Sequence, residues 1–257
     1  MDEFARRYGP VAVVTGASSG IGQSFAQFLA AHGFDLVIVA RRQERLETLA
    51  SRLRSSHGVS VHVQRVDLAE GDAAQQILDA TSSMDVGLLV SNAGTGDRGP
   101  FENGSARALN EALMVNCNTP MLLAHGFVPR LKQRERGGII FTSSVEGLIG
   151  CPYSTAYSST KGFLNSLAEG LWGELAPHGI DVLGLCPGAT ATDRLSGADP
   201  ATLRNAMPPD DVVRLALANL RNGPIYIPSQ HYQATFDHLL SMPRDQAVAA
   251  IARQMTT

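Results

Sequence analysis

Short apolar segments alternate with longer segments of helical period along most of the chain. The apolar segments are rich in Val, Ile and Leu, as strands buried on both faces of a parallel sheet are. They cover residues 11–14, 36–39, 61–66, 87–90, 138–142, 181–185 and 224–227. Helical candidates lie near residues 20–31, 42–56, 70–82, 105–134, 155–177 and 200–220. This order predicts an α/β fold with a doubly wound, Rossmann-like parallel sheet of seven strands and helices on both faces.

Length and charge narrow the class of protein further. The chain has 257 residues and no repeat or Pro/Gly-rich linker, so we predict a single domain over residues 1–257. The net charge of −3, with scattered lysines and arginines, argues against a nucleic-acid surface. No apolar run approaches the ~20 residues that span a bilayer, and the first residues lack the apolar region of a signal peptide. We therefore expect a soluble cytoplasmic protein without a membrane partner.

The cysteines indicate a reducing compartment. Cys117, Cys151 and Cys186 are few, odd in number and far apart, which fits reduced thiols better than a disulfide framework. No His/Cys cluster has the spacing of metal ligands, so we expect no metal in the chemistry.

A glycine-rich segment, T-G-A-S-S-G-I-G at 15–22, follows the first predicted strand and opens a predicted helix. Its glycines permit a tight turn and let backbone N–H groups approach a pyrophosphate, whose charge the helix amino terminus favours. The strand, turn and helix order favours a cofactor loop over a purely structural turn. The predicted cofactor contacts in this loop are Gly16, Ser18, Ser19, Gly20, Ile21 and Gly22.

Arg41 and Arg42 follow the second predicted strand, where NAD-selective sheets usually carry a carboxylate for the ribose hydroxyls. A guanidinium binds a 2′-phosphate in a bidentate manner, so we expect NADP(H) in preference to NAD(H), with Arg41 as the main contact. The alternative is a solvated basic start of the next helix, which also carries Arg45. Asp67, after the third strand, could accept a hydrogen bond from the adenine amino group or cap a helix.

Tyr157 and Lys161 lie four residues apart on a predicted helix, so their side chains share one face. A neighbouring cation lowers the pKa of a phenol, and such a pair could exchange a proton with an alcohol or ketone near neutral pH. Considered alone, the pair is better interpreted as two solvated side chains, because Tyr and Lys fall four residues apart on many helices by chance.

These features together resemble the short-chain dehydrogenase/reductase family, in its shorter, single-domain branch. The resemblance runs from about residue 11 to residue 192 and rests on motifs in the family's order. Beside T-G-x-x-x-G-x-G and Y-x-x-x-K, the matching positions are Asn92, Ala93 and Gly94, then Asn116, Ser144, and the P-G-x-x-x-T segment with Pro187, Gly188, Thr190 and Thr192.

The resemblance implies a ketoreductase or alcohol dehydrogenase. Hydride would pass between the pro-S face of the nicotinamide and a carbonyl carbon, while Tyr157 protonates the oxygen or, in reverse, deprotonates the alcohol. Lys161 would tune Tyr157 and bind the nicotinamide ribose, and Ser144 would donate to the substrate oxygen. Asn116 would hold a water that connects Lys161 to solvent. The segments 92–94 and 187–192 would lie against the cofactor, and copies of the chain would form a homodimer or homotetramer through the helices of Asn116 and Tyr157.

Several of these residues also have structural interpretations. Asn116 could cap or pack within its helix, Ser144 could be an ordinary small residue at a strand end, and Pro187-Gly188 is a common turn signal. We interpret Tyr153, four residues before Tyr157, as a pocket wall rather than as the acid.

Two departures from the family's pattern limit the resemblance. Ser91 stands where the family commonly has the first Asn of N-N-A-G. The last predicted strand continues into P-I-Y-I-P-S at 224–229 instead of a V-D-G-G-like segment, and a carboxyl-terminal extension follows over 230–257. We therefore do not expect a fatty-acid-synthesis ketoreductase with an acyl-carrier-protein partner.

Substrate-contacting residues are expected around 95–101 and in a substrate loop at 189–209, because loops above strand ends vary in such folds. Apolar residues occur in this loop and in the extension: Leu195, Leu203, Met207, Pro208 and Pro209, then Tyr232, Phe236, Leu239, Leu240 and Met242. As a wall or lid they would favour a small to medium, partly hydrophobic ketone, such as an alicyclic, aromatic or steroid-like one. Core or subunit packing is the preferred interpretation of the extension, and membrane attachment is the least favoured.

Two other functions are compatible with the fold. A non-catalytic NADP(H)-binding regulator would not need Ser144, Tyr157, Lys161 and Asn116 together. A sugar-nucleotide epimerase or dehydratase also uses a Tyr/Lys pair, but the short chain and the loop spacing argue against it.

Overall fold

The strands of the computed structural model, which describes residues 3–195 and 200–255, are all parallel. They are β1 (Val11–Thr15), β2 (Asp35–Ala40), β3 (Val61–Arg65), β4 (Val86–Ser91), β5 (Gly137–Thr142), β6 (Ile180–Leu185) and β7 (Ile225–Tyr226). Within the described residues they form one sheet of seven strands in the order β3-β2-β1-β4-β5-β6-β7. The doubly wound, Rossmann-like fold is therefore confirmed, and its topological switch point lies between β1 and β4.

Helices connect and cover these strands. They are α1 (Glu3–Tyr8), α2 (Gly20–Ala31), α3 (Gln43–His57), α4 (Ala73–Ala80), α5 (Ala106–Leu113), α6 (Thr119–Arg134), α7 (Thr155–Leu175), α8 (Pro200–Arg204), α9 (Pro209–Ala218), α10 (Gln230–Ser241) and α11 (Arg244–Met255). Among the described helices, none has the length and apolar character needed to cross a membrane.

The two faces of the sheet carry separate apolar clusters, because successive strand side chains point to opposite faces. Ala12 and Val14 of β1 lie in one cluster with residues of α2, α3 and α9. Val11 and Val13 lie in the other, with residues of α4, α6 and α7. All five residues of β1 are buried, as expected for a central strand covered on both faces.

Helices α10 and α11 form the extension that the sequence pattern describes only as an apolar segment. Phe236 and Leu239 of α10 are buried in a third cluster with Val145 and Ile149, whereas Leu240 is exposed. The extension therefore packs on the loop that follows β5, which supports the core-packing interpretation for these two side chains. Residues 256 and 257 lie outside the described residues, as do residues 1 and 2 of the predicted domain.

Two predicted helices differ from the structure. The segment 105–134 contains a wider π-helical turn, Met114–Asn118, between α5 and α6. The segment 200–220 is divided into α8 and α9, because Met207 forms backbone hydrogen bonds to Ala189 and Ala191 and two prolines follow it. Residues 196–199 of the predicted substrate loop lie outside the described residues.

Candidate active site

The predicted site residues follow the carboxyl ends of neighbouring strands, where ligands bind in open α/β sheets. Asn92 and Ala93, after β4, donate backbone hydrogen bonds of 3.0 and 3.1 Å to Oγ1 of Thr15, at the end of β1. The Asn92 side-chain nitrogen donates to the Thr15 carbonyl oxygen at 3.0 Å. The 92–94 segment thus joins the two strands that flank the switch point.

The glycine loop after β1 has little room for side chains. Gly16 has φ of +68°, and a Cβ atom there would lie 2.8 Å from Cα of Ala93. A Cβ atom on Gly22 would lie 2.4 Å from the Gly16 carbonyl oxygen. Gly20 also has a positive φ, and it faces the methyl group of Thr192. Glycine is therefore required both by backbone conformation and by close approach.

Arg42 extends from the end of β2 to the glycine loop. Its Nη2 atom donates to Oγ of Ser18 at 2.9 Å and to Oγ of Ser19 at 2.7 Å. Ser19 stands at the N-cap of α2, yet within the described residues its side chain makes no capping bond to the helix. Ile21, another predicted cofactor contact, packs its side chain on the apolar core. A guanidinium, two hydroxyls and a helix amino terminus therefore lie close together, which is a suitable donor set for phosphate groups.

Arg41 lies in a second cluster beside that donor set. Its Nη1 atom is 3.1 Å from Oε1 of Glu111 and 3.9 Å from Oδ2 of Asp67. Asp67 accepts a hydrogen bond from the Ala69 N–H at 3.1 Å, and the next helix begins only at Ala73. Asp67 therefore stabilises a turn and does not cap a helix, and its other oxygen faces Arg41.

Tyr157 and Lys161 share one face of α7, as their spacing predicts, but Lys161 is not solvated. Only 2% of Lys161 is exposed, and its Nζ donates to the Thr142 carbonyl oxygen at 2.7 Å. The same Nζ is 5.5 Å from the Tyr157 ring centroid. Gly94 lies against Nζ, and Gly96 lies against the Tyr157 ring, where a Cβ atom would clash. The interpretation of the pair as two solvated side chains is therefore wrong for Lys161.

Asn116 belongs to the π-helical turn and is fully buried. Its Oδ1 accepts from the Thr95 N–H at 2.9 Å, and its Nδ2 donates to the Thr95 carbonyl oxygen at 2.7 Å. Nδ2 also donates to Oγ1 of Thr160 at 2.8 Å, within the turn of α7 that holds Lys161. A π-helical turn at a functional site is a frequent observation, and here it joins the loop after β4 to α7.

Ser144 follows β5, and its hydroxyl oxygen accepts a hydrogen bond from the Glu146 N–H at 3.2 Å. This bond leaves the hydroxyl hydrogen of Ser144 for another acceptor. The preceding residue, Ser143, donates through its own hydroxyl to the Lys161 carbonyl oxygen at 2.9 Å. Ser143 therefore holds β5 to α7, whereas Ser144 presents a donor at the end of the strand.

The segment after β6 is bound to the Ser144 loop and to the extension. The Pro187 carbonyl oxygen accepts from the Val145 N–H at 3.2 Å. A Cβ atom on Gly188 would lie 2.1 Å from Cδ2 of Tyr232, so the α10 ring packs directly on this glycine. Thr190 donates to the Gly188 carbonyl oxygen at 3.2 Å. Thr192 reaches back to Gly20, as described above.

Glu146 and Tyr153 also lie at the site, although neither belongs to a family motif. Glu146 accepts a hydrogen bond of 2.5 Å from Oγ of Ser154 and forms an ion pair with Arg98. Tyr153 has φ of 59°, and its carbonyl oxygen accepts from the Gly99 N–H at 2.7 Å. The sequence shows an acidic residue, Glu146, two positions after Ser144. It does not indicate that Glu146 binds Ser154 and Arg98.

The cysteines are buried and free within the described part of the chain. Burial raises the pKa of the Cys117 thiol to about 11 and that of the Cys186 thiol to about 12. Burial, with the nearby Glu146 carboxylate, raises the pKa of Cys151 to about 12. These thiols therefore stay protonated near neutral pH and are poor nucleophiles.

Open clefts flank the glycine loop. One, of about 520 Å³, lies between α2 and the segment after β6 and is lined by Gly20, Gln23, Thr192 and Leu203, among others. A second, of about 430 Å³, is lined by Ser18, Arg45 and Arg52. The described residues that line these two clefts do not include Tyr157, so both lie on the side of the predicted cofactor loop rather than of the acid.

Comparison with known proteins gives a match over most of the chain. The short chain dehydrogenase family matches residues 10–201. A 7beta-hydroxysteroid dehydrogenase of Clostridium sardiniense is 29% identical over 253 residues, which are 97% of this chain and 97% of that protein.

Solved structures share the fold over nearly the whole chain. A short-chain dehydrogenase from Sphingobium yanoikuyae, in complex with NADPH, is 35% identical with a TM-score of 0.82, covering 90% of this chain and 92% of that one. A bulky-bulky ketone specific alcohol dehydrogenase from Comamonas testosteroni is 32% identical with a TM-score of 0.80, covering 96% of this chain and 94% of that one.

Proposed function

Because the chain belongs to the short-chain dehydrogenase family, we propose that Tyr157 is the general acid and base of an NADP(H)-dependent interconversion of a ketone and a secondary alcohol. Family membership makes the protein an oxidoreductase that acts on CH–OH and C=O groups. The observation that carries the proposal is the buried Lys161 ammonium beside the Tyr157 ring, at the strand ends that also present Ser144.

The side chains divide the proton chemistry among them. The Lys161 charge favours the phenolate form of Tyr157, so the hydroxyl gives up its proton readily to a developing alkoxide and recovers it from an alcohol. The Ser144 hydroxyl donates to the substrate oxygen and stabilises the charge that develops there. Asn116 fixes the loop at Thr95 and, as in the family, would hold the water through which Lys161 reaches solvent.

The residues present fit a dinucleotide. The glycine loop and the amino terminus of α2 would hold the pyrophosphate, because they combine close backbone approach with hydrogen-bond donors. Residues 92–94 and Pro187, Gly188, Thr190 and Thr192 would hold the nicotinamide half, as the family's motifs do. When bound, the nicotinamide supplies or accepts the hydride.

We propose NADP(H) rather than NAD(H) as the preferred cofactor. Arg41 and Arg42 stand where an NAD-selective sheet usually carries a carboxylate. Arg42 also donates hydrogen bonds to two serine hydroxyls of the glycine loop. Asp67, close to Arg41, would accept from the adenine amino group. The NADPH complex of the Sphingobium yanoikuyae dehydrogenase supports this choice.

The substrate we propose is a small to medium, partly hydrophobic ketone, such as an alicyclic, aromatic or steroid-like one. Residues 95–101, 189–209 and the extension 230–257 would surround it, because the described parts of all three adjoin the strand ends. The names of the relatives, a 7beta-hydroxysteroid dehydrogenase and a bulky-bulky ketone specific alcohol dehydrogenase, support this class.

We further propose a cytoplasmic homodimer or homotetramer. Large apolar side chains remain exposed on helices that carry or adjoin the site: Leu113, Met121, Leu122, Phe163 and Trp172. Such residues on neighbouring helices are suited to contact a second copy. Analytical ultracentrifugation tests the assembly, and cell fractionation tests the cytoplasmic location.

The test of the activity is a panel of ketones with NADPH, followed by absorbance, for the parent and Tyr157→Phe. We expect the parent to reduce at least one hydrophobic ketone, and the variant to lose more than about 100-fold in kcat while it still binds NADPH. NADPH binding without turnover of any carbonyl compound by the parent would contradict the enzymatic proposal and favour a binding-only role.

A further inference from the structure

Glu146 is the point at which three segments of the site are joined. It lies in the turn after β5, and its N–H donates to the Ser144 hydroxyl oxygen. Its Oε2 accepts from Oγ of Ser154 at 2.5 Å, and its Oε1 forms an ion pair with Arg98. The Glu146 side chain is 15% exposed, whereas that of Arg98 is 62% exposed. The carboxylate is thus largely withdrawn from solvent, and both of its oxygens are used.

The bond from Ser154 fixes the start of the tyrosine helix. Ser154 is the N-cap residue of α7, where a serine hydroxyl normally accepts from a backbone N–H of the first turn. In the described structure it makes no such bond and donates to Glu146 instead. A carboxylate near a helix amino terminus is also favoured by the helix dipole. The turn that carries Ser144 is therefore joined to α7 one helical turn before Tyr157.

The ion pair with Arg98 fixes the segment 95–99, which covers the tyrosine. Gly96 of this segment packs on the Tyr157 ring. The segment is held a second time by the bond from the Gly99 N–H to the Tyr153 carbonyl oxygen. Glu146, through Ser154, and Tyr153 both connect to the start of α7, so the segment 95–99 is held to that helix at two points.

We propose that Glu146 is a positioning residue for the reaction: it sets the spacing of the Ser144 and Tyr157 hydroxyls and holds the segment 95–99 over the tyrosine. This inference rests on the proposed function of Tyr157 and Ser144. Two hydroxyls must face one substrate oxygen, and a displacement of about 1 Å can cost about 100-fold in rate. A carboxylate that binds both the helix and the segment limits such displacement.

An isolated surface ion pair would not have this effect, because exposed pairs contribute little. Arg214 and Asp211, an exposed pair on α9, serve as the matched control. Glu146 differs from that pair because its side chain is mostly buried and has a second, hydrogen-bonded partner.

The experiment compares Glu146→Gln, Glu146→Asp, Ser154→Ala and Arg98→Gln with the parent and with Arg214→Gln. The measured quantities are kcat and KM for a ketone that the parent reduces, the NADPH Kd by fluorescence titration, and amide hydrogen exchange of residues 95–99 and 155–157. We expect Glu146→Gln to lower kcat at least about tenfold with an NADPH Kd within about twofold of the parent. Glu146→Asp should recover part of kcat, because it restores the charge.

The single-contact variants separate the two connections. Ser154→Ala should lower kcat, because it frees the helix, and Arg98→Gln should mainly raise the ketone KM and speed exchange of residues 95–99. Both remain informative if the Glu146 variants do not fold. Arg214→Gln should match the parent in every measurement.

The proposal is overturned if Glu146→Gln, Ser154→Ala and Arg98→Gln all stay within about twofold of Arg214→Gln in kcat and KM. It is also overturned if NADPH affinity falls in proportion to kcat, since general damage would then explain the loss. If the parent reduces no ketone, the proposed function fails separately. Faster exchange of 95–99 and 155–157 in Glu146→Gln than in Arg214→Gln then sustains the positioning role, and equal exchange refutes it.

Discussion

Lys161 is buried, and burial disfavours a charged side chain unless the surrounding groups stabilise the charge. The Thr142 carbonyl oxygen accepts from Nζ at 2.7 Å, and the centroid of the Tyr157 ring lies 5.5 Å from the same atom. A carbonyl oxygen and an aromatic face both attract a cation without neutralising it. In the proposed function, a charge stabilised in this way on Lys161 would act on the tyrosine hydroxyl.

The proposed preference for NADP(H) over NAD(H) depends on two residues, Arg41 and Arg42. Arg41→Ala and Arg42→Ala should each raise the NADPH Kd by roughly 10- to 100-fold, as expected for a lost charge-assisted hydrogen bond, and should change the NADH Kd much less. Fluorescence titration with both cofactors measures this. Arg214→Ala, at an exposed arginine of α9 paired with Asp211, is the control. Equal losses for NADPH and NADH would remove the 2′-phosphate assignment.

The sequence is sufficient to predict the positions of the site residues, but not all of their contacts. The positions of Tyr157, Lys161, Ser144 and Asn116 could be inferred from motif spacing, because the family repeats it. The contact of Arg98 with Glu146 joins residues 48 apart and follows no periodicity, so no sequence pattern indicates it. The burial of Lys161 likewise depends on the loop after β4, which covers it only in the folded chain.

At the scale of elements, apolar runs locate the strands well and helix interruptions poorly. Each predicted strand corresponds to an observed one within about two residues at either end. The π-helical turn Met114–Asn118 has no distinct composition, because the same residues can continue an ordinary helix. The pattern also does not indicate helices α1, α10 and α11, although Phe236 and Leu239 of α10 are spaced as on one helical face.

The contact between α10 and the segment after β6 has a measurable consequence. Gly188→Ala should lower the free energy of unfolding by about 1–3 kcal/mol, because the new methyl group meets the Tyr232 ring. In the double variant with Tyr232→Ala, the loss should be smaller than the sum of the two single losses. Urea denaturation of the four proteins tests this. Additive losses would mean that there is no steric contact between the new methyl group and the Tyr232 ring.

At the scale of the whole molecule, buried thiols make the fold sensitive to high pH. Burial raises the pKa of Cys186 from 9.0 to about 12, so above pH 9 the unfolded chain loses this proton while the folded chain keeps it. Stability from this thiol is complete below pH 9 and is lost as the pH rises towards 12. Burial also raises the pKa of Tyr8, beside the Asp181 carboxylate, and acts in the same direction.

We therefore expect the free energy of unfolding to fall between pH 9 and pH 11 by about 1.4 kcal/mol per pH unit for each such thiol. Cys186→Ala should reduce the slope of the free energy of unfolding against pH by the contribution of one thiol, about 1.4 kcal/mol per pH unit. This holds whatever the variant does to stability at pH 7. Urea unfolding of parent and variant at several pH values gives both slopes. Identical slopes would show that this thiol does not contribute.

The last strand limits how copies of this molecule can meet. β7 has two residues, Ile225 and Tyr226, and lies between Pro224 and Pro228. A proline has no N–H to donate, and so short a strand offers almost no row of free backbone groups at that edge of the sheet. An incoming strand from another chain would find no template there. The molecule is thus protected at this edge against the open-ended strand addition that leads to aggregates.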